Sequence, residues 1–219
     1  MTTITLIRHG QANTQARDES EYDRLSDLGH QQAVWLGAHF AATGEHIERV
    51  YSGTLRRHNE TAQSMGADNH GPIVQDERLN EIEYFTLAHL MQDQHGVIIP
   101  EDREGFVTHL PLLFKTWQDG KIENAPETFD HFETRVRDVI AEIADGKGPA
   151  IVATSGGLIG MVVRQVMNID LTAMSLACLA IMTTSVHRLH RVGPVMALTQ
   201  FNAVPHLEQR DRQFAQTHL

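Results

Sequence analysis

Short apolar runs alternate with amphipathic, helix-like segments along most of this chain, and that alternation limits the folds it can adopt. Such segments build parallel sheets, because each helix carries the chain back to the edge from which the next strand starts. The runs with the composition of strands are Thr3–Ile7, Arg49–Ser52, Pro72–Gln75 and Ala150–Ala153. We therefore predict an α/β three-layer sandwich, in which a mixed, mostly parallel sheet is flanked by helices.

The segment Phe85–Ala125 departs from this rhythm. It contains irregular helical patterns, whose apolar anchors are Phe106, Leu110, Leu112, Leu113, Phe114 and Trp117. We predict a helical insertion within a single domain that spans 1–219. Its role is open between a lid over the strand ends and a structural cover of the sheet. Farther along, the sequence pattern predicts two antiparallel strands, at residues 180–189 and 195–201.

Charge and cysteine content narrow the function and the location. With 28 acidic and 18 basic side chains, the formal net charge is −10, which argues against nucleic acid or an anionic membrane as a partner. The longest uncharged run, Leu171–Val186, is too short and too polar for a membrane span. The single cysteine and the absence of a leader pattern predict a cytoplasmic protein without a disulfide framework.

Polar residues with complementary chemistry follow the predicted strands. Arg8-His9-Gly10 closes the first strand, and Arg57, Glu81 and Ser155-Gly156-Gly157 follow later ones. Ligands bind at the carboxyl ends of parallel strands, so these residues can converge. Guanidinium groups and a glycine-rich helix start bind phosphate, and imidazole acts as nucleophile or base. The alternative is a capped strand end whose histidine only forms a hydrogen bond.

Five motifs resemble, in order, the signature of the histidine phosphatase superfamily, the phosphoglycerate mutase-like proteins. They lie at Leu6-Ile7-Arg8-His9-Gly10-Gln11, Leu25-Ser26-Asp27-Leu28-Gly29-His30-Gln31-Gln32-Ala33, Leu55-Arg56-Arg57-His58-Asn59-Glu60-Thr61-Ala62, Leu79-Asn80-Glu81 and Glu127-Thr128-Phe129. The resemblance covers most of the chain except the insertion. The resemblance implies a phosphoglycerate mutase-like fold and a cofactor-independent reaction. Separately, no spacing of His, Asp or Glu in the sequence resembles a metal site.

The resemblance also implies roles for individual residues. His9 becomes the phosphohistidine nucleophile, and Arg8 and Arg57 bind the phosphoryl oxygens. Glu81 protonates the leaving oxygen and then activates water, although Glu83 lies two residues on. The remaining candidates for phosphate binding are Gln11, Asn13, Ser155 and Gly156. Gln11 and Asn13 are equally compatible with surface loop positions.

Ser155 departs from the family pattern. Thr154-Ser155-Gly156-Gly157 stands where the family has Ser-His-Gly-Gly, whose histidine donates a hydrogen bond to the phosphoryl group. Losing one such donor typically costs about 2.7–4 kcal/mol of transition-state stabilisation. Three explanations stay open: serine suffices in a bacterial subgroup that this chain resembles, another histidine occupies the gap, or catalysis is lost. We interpret His58, His187 and His206 as surface or packing residues.

Three functions follow from this sequence. The leading prediction is a phosphomonoester phosphatase acting on a small phosphorylated substrate through His9. The alternatives are a phosphoglycerate-type mutase and a protein that binds a phospho-ligand, or inorganic phosphate, with reduced or lost catalysis. An apolar edge of the sheet is compatible with a homodimer. The insertion carries no recognisable motif, so the sequence does not identify the substrate.

Overall fold

The computed structural model describes residues 2–218 and contains one six-stranded mixed sheet. The strands are β1 (Thr3–Arg8), β2 (Arg49–Ser52), β3 (Ile73–Gln75), β4 (Ala150–Thr154), β5 (Val186–Val192) and β6 (Val195–Ala203). Their order across the sheet is β3-β2-β4-β1-β5-β6. The first four strands run parallel, and β5 and β6 are antiparallel to their neighbours. β1 is therefore a central strand. Its carboxyl end lies between the carboxyl end of β4 and the start of β5.

Among residues 2–218, eight α-helices surround the sheet. They are α1 (Glu19–Tyr22), α2 (Asp27–Thr43), α3 (Arg56–Ser64), α4 (Tyr84–His95), α5 (Arg103–Gln118), α6 (Phe129–Asp145), α7 (Gly156–Met167) and α8 (Leu171–Ala180). Ser26 begins α2 by accepting a hydrogen bond from the Gly29 N–H, and Gly44 ends it in the left-handed conformation.

The helices form two layers because β-strand side chains alternate between the faces of the sheet. Ile7 and Val50 pack with α2 and α3 on one face. Leu6 and Val152 pack with α4, α5, α6, α7 and α8 on the other. Each fully buried aliphatic or aromatic side chain in these layers contributes about 1.5–3 kcal/mol by leaving water. The predicted three-layer α/β sandwich is confirmed.

The C-terminal part of the prediction is partly wrong. Residues 180–185 are not a strand, and Leu171–Ala180, to which the sequence pattern assigned no element, is helix α8. Asp170 begins this helix by accepting a hydrogen bond from the Ala173 N–H. Thr184 then takes a φ of 54°, which a strand cannot contain, so β5 starts only at Val186.

The segment Phe85–Ala125 holds most of α4 and all of α5. Leu87 and Met91 of α4, with Leu113 and Phe114 of α5, are buried in the same core as α6, α7 and α8. Leu112 is 46% exposed, so the prediction that it anchors the segment is wrong: it lies on the outer face of α5. Movement of the segment as a lid remains a prediction. In residues 2–218, no helix is both long and apolar enough to cross a membrane.

Candidate active site

The carboxyl end of β1 holds Arg8 and His9 in a fixed position. The His9 N–H donates to the Thr154 carbonyl at 2.8 Å, and its carbonyl accepts from the Thr184 N–H at 3.3 Å. After it the chain turns against the start of α2, where a Cβ on Gly10 would overlap the carbonyl of Gly29. Glycine is therefore required at this turn by the close approach of two backbones.

The hydrogen bonding of the His9 ring leaves one nitrogen available. The Nδ1 atom lies 2.7 Å from the Gly10 carbonyl, an acceptor that fixes the proton on Nδ1 and leaves the Nε2 lone pair free. Burial, then the positive charges of Arg57 and Arg8, lower the pKa of His9 well below its ordinary value. The ring is therefore neutral at pH 7, the state in which a histidine can act as a nucleophile.

Arg8 is a buried cation without a counter-charge among the described residues. The side chain is 3% exposed, and its Nη1 donates to the Ile181 carbonyl, while its Nε has no hydrogen-bond partner. No carboxylate in residues 2–218 lies within ion-pair distance of it. Because a charge taken out of water without compensation is costly, this arrangement favours an anionic ligand.

Arg57 is also 3% exposed, and neighbouring side chains fix its direction. Its Nη1 donates to Asp23 at 3.1 Å, and the same carboxylate accepts from the Arg57 N–H at 3.2 Å. The guanidinium lies over the ring of Tyr22, 5.1 Å from its centroid. The Nε atom is buried and has no hydrogen-bond partner among the described residues.

Glu81 faces the same site, and backbone donors hold its carboxylate. Its two oxygens accept from the N–H groups of Gly157 at 2.8 Å and Ile82 at 3.0 Å. A Cβ on Gly157 would overlap this carboxylate, which explains why glycine stands there. Glu83 is exposed at the start of α4, where it accepts from Thr86, and it does not border the cavity beside His9.

One cavity of about 760 Å³ brings most of the predicted site residues together. Those on its wall are Arg8, His9, Gln11, Asn13, Arg57, Glu81 and Gly156. Gln11 accepts from Ser26 Oγ at 2.8 Å, which leaves its amide nitrogen as a donor. The amide of Asn13 is bonded within its own loop, to Glu21 and Gln15, and is less available.

Ser155 does not line the cavity. It is fully buried, and its Oγ lies 2.5 Å from Nε2 of His58. His58 is buried, so it is a packing residue rather than a surface one, and its ring lies 5.9 Å, centroid to centroid, from that of His9. His187 and His206 are buried packing residues, bonded to Ser185 and Thr184 at 2.9 and 2.8 Å.

Sequence reasoning missed two residues that position the site. Asp23 orients Arg57, and Tyr22 lies edge-on to His9, with ring centroids 5.9 Å apart. Both belong to the short loop around α1, and no pattern in that loop signals a role. In the part of the chain that the structure describes, no group of three or more His, Cys, Asp or Glu side chains could hold a metal ion.

Comparison with known proteins gives the family. The family model described as "Histidine phosphatase superfamily (branch 1)" matches residues 4–203. The chain belongs to the histidine phosphatase superfamily. A 2,3-bisphosphoglycerate-dependent phosphoglycerate mutase of Bartonella quintana (strain Toulouse) is 30% identical over 99 residues, which are 42% of this chain and 48% of the mutase. The aligned part thus spans about half the length of that relative.

Solved structures agree on the fold. A phosphoserine phosphatase from Entamoeba histolytica, in complex with phosphoserine, superposes with a TM-score of 0.70 and 16% identity, covering 94% of this chain and 100% of that one. A phosphoglycerate mutase from Bacillus anthracis str. Sterne gives 0.68 and 20% identity, covering 94% of each chain. The fold is thus phosphoglycerate mutase-like, and phosphatases and mutases both occur among proteins that share it.

Proposed function

We propose that this protein is a phosphomonoester phosphatase that works through a phosphohistidine on His9. The observation that supports it best is the buried, uncompensated guanidinium of Arg8 beside the free Nε2 of His9. A phosphoryl dianion supplies the negative charge that the protein does not provide there. Arg57 contributes a second guanidinium on the same cavity wall, so charge that develops on the phosphoryl oxygens meets two fixed cations.

In the first half-reaction, Nε2 of His9 attacks phosphorus and the ester P–O bond breaks. Glu81 gives a proton to the leaving oxygen, and the alcohol departs. The Gly10 carbonyl, held at 2.7 Å from Nδ1, stabilises the positive charge that the ring acquires. The product is a phosphohistidine whose oxygens face Arg8 and Arg57.

In the second half-reaction, Glu81 takes a proton from water, and the oxygen of that water attacks phosphorus. The P–N bond breaks, His9 returns to its neutral form, and inorganic phosphate leaves. Glu81 lines the 760 Å³ cavity and also a second cavity of about 590 Å³. Open space for water next to Glu81 favours hydrolysis over transfer to a second hydroxyl, which requires water to be excluded.

Because the chain is similar to the mutase from Bartonella quintana, a phosphoglycerate-type mutase is the second candidate function. Product analysis separates the candidates: we expect equal amounts of free alcohol and inorganic phosphate, and a base-stable, acid-labile phosphoprotein after rapid quenching. Exchange between phosphoglycerate isomers without phosphate release would instead identify a mutase. Phosphate-ester binding in calorimetry without turnover would leave only the ligand-binding function and would refute the proposed phosphatase.

The outer part of the cavity favours an apolar alcohol as the leaving group. Beyond His9 and Glu81 its wall is mostly aromatic and aliphatic, and it includes Tyr84, Phe85, Ile99, Pro100, Phe106, Leu110 and Phe114. Tyr84 and Phe106 pack together, with ring centroids 5.9 Å apart. Acidic residues at Glu19, Glu101 and Asp102 border the same space, and so do the basic side chain of Arg17 and the imidazole of His89.

Lengthening an alkyl phosphate should raise kcat/KM. Each methylene buried against the apolar wall contributes about 0.8 kcal/mol, or roughly fourfold, so hexyl phosphate should exceed butyl phosphate by about fifteenfold. Phe106→Ala should flatten this series, whereas Leu112→Ala, on the outer face of the same helix, should not. Steady-state phosphate release measures both; a flat series in the unmodified protein, or 3-phosphoglycerate as the best substrate, would contradict this assignment.

A further inference from the structure

Gln32 on α2 is a fully buried residue whose amide hydrogen bonds join three separate segments of the chain. Its Oε1 accepts from the Gln11 N–H at 2.8 Å, which fixes the orientation of the amide because a backbone N–H can only donate. Its Nε2 therefore faces oxygens, which are the Ala215 carbonyl at 2.7 Å, Thr183 Oγ1 at 2.8 Å and Thr217 Oγ1 at 3.1 Å. Because glutamine is mostly exposed in folded proteins, we attribute its burial here to these hydrogen bonds rather than to apolar packing.

The first segment is the loop that follows His9. Gln32 holds its backbone through the Gln11 N–H, and Ser26 holds the Gln11 side chain by donating to Oε1 at 2.8 Å. Gln11 lines the cavity, and the bond from Ser26 leaves its amide nitrogen as a donor there. The position of this neutral donor therefore depends on the Gln32 carbonyl oxygen.

The second segment is the turn at 181–185, which contacts Arg8 and His9 directly. The Thr184 N–H donates to the His9 carbonyl at 3.3 Å, and the Ile181 carbonyl accepts from Nη1 of Arg8. Thr184 has a φ of 54°, a left-handed conformation that is strained for a β-branched residue. Such a conformation persists only where the surrounding structure holds it. The turn therefore depends on contacts from other elements.

The third segment is the C-terminal one, which binds the same turn. The Thr183 N–H donates to the Thr217 carbonyl at 3.0 Å, and the Oγ1 atoms of the two threonines lie 2.7 Å apart. Both hydroxyls are hydrogen-bonded to Nε2 of Gln32. Thr183 and His218 line the cavity, so this network reaches the cavity wall.

We infer that Gln32 is a positioning residue that fixes the loop at Gln11 relative to the turn at 181–185. The Gln11 amide nitrogen and the Arg8 guanidinium, which these segments hold, then face the same phosphoryl group on His9. Gln32 itself is not on the cavity wall, so it acts only through these neighbours. This inference rests on the proposed phosphatase function, since it concerns the phosphate-binding groups of that reaction.

The test is the Kd of the full chain for inorganic phosphate, measured by calorimetry at pH 8. Gln32→Glu keeps the acceptor for the Gln11 N–H, but its carboxylate has no proton to donate to Thr183 or Ala215. We expect the Kd to rise at least about tenfold and kcat/KM for hydrolysis to fall by about 10²-fold, because the binding groups are misplaced. Gln31→Glu, the same change at an exposed position of α2, should leave both within about twofold.

The pH dependence of Gln32→Glu separates positioning from a loss of stability. Burial raises the pKa of a carboxyl group, and its protonated form can donate one hydrogen bond, as the amide does. The ratio of kcat/KM between this variant and the unmodified protein should therefore rise as the pH falls from about 8 to about 6. A variant that is only less stable, but folded at the assay temperature, would keep a constant ratio.

Two uncharged variants complete the test. Gln32→Met introduces no buried charge and should also raise the phosphate Kd, so it decides the matter if Gln32→Glu fails to fold. Thr183→Val removes one acceptor of the amide, and its effect should mostly disappear in the Gln32→Met background. An unchanged Kd in Gln32→Met, or additive effects of the two substitutions, would overturn the inference. Normal phosphate binding without hydrolysis would instead refute the phosphatase function, while the Kd values would still decide the role of Gln32.

Discussion

Replacing His9 with alanine should lower kcat/KM for phosphomonoester hydrolysis by about 10⁴-fold or more. Without the nucleophile, water must attack the phosphoryl group directly, and only the two guanidinium groups still stabilise the transition state. Phosphate release against a short alkyl phosphate measures this loss. The quenched protein should also contain no acid-labile phosphate. His89→Ala is the matched control, because His89 lines the same cavity but is exposed on α4, away from β1.

Two further readouts tie the loss to the imidazole itself. His9→Gly leaves a space in which added imidazole should restore part of the rate. Because the pKa of His9 is lowered, the neutral ring persists as pH falls through the ordinary value of about 6.5. The acid limb of kcat/KM should therefore lie below that value. Substantial activity in His9→Ala would show that another group carries the phosphoryl intermediate.

The parallel half of the sheet could be predicted because its signals are local. The predicted strand Arg49–Ser52 coincides with β2, and β1 and β4 each extend one residue beyond the prediction, to Arg8 and Thr154. Helix α8 could not be placed because its residues are uncharged and show no clear apolar face. Its position follows from packing against α5 and α7, which only the folded chain provides.

In the candidate site too, some residues could be predicted from the sequence and some contacts could not. His9, Arg57 and Glu81 follow strands or begin helices, so order and spacing indicated that they would meet. His58 and Ser155 are 97 residues apart, and their contact depends on how the first turn of α3 meets the start of α7. The hydrogen bond from Arg57 to Asp23 likewise depends on where the loop around α1 folds back. No local pattern encodes either contact.

Replacing Arg8 with methionine should separate activity from stability. Activity should fall by about 10³-fold or more, the scale expected for a guanidinium that stabilises a phosphoryl transition state. The same change removes a buried charge that has no counter-charge among the described residues. What the fold loses is mainly the hydrogen bond to the Ile181 carbonyl, worth about 1 kcal/mol. In phosphate-free buffer, the variant should thus unfold at the same temperature as the unmodified protein or higher.

Inorganic phosphate should make the unmodified protein more stable than the Arg8→Met variant. Phosphate at 100 times its Kd adds about 2.7 kcal/mol to the free energy of unfolding of a protein that binds it only when folded. The unmodified protein should gain this stabilisation, and Arg8→Met should not. Arg56→Met removes the same charge from an exposed site paired with Glu60, and it should respond to phosphate normally. If Arg8→Met instead melts well below the unmodified protein without phosphate, the fold itself already satisfies that guanidinium, and the main support for an anion site there disappears.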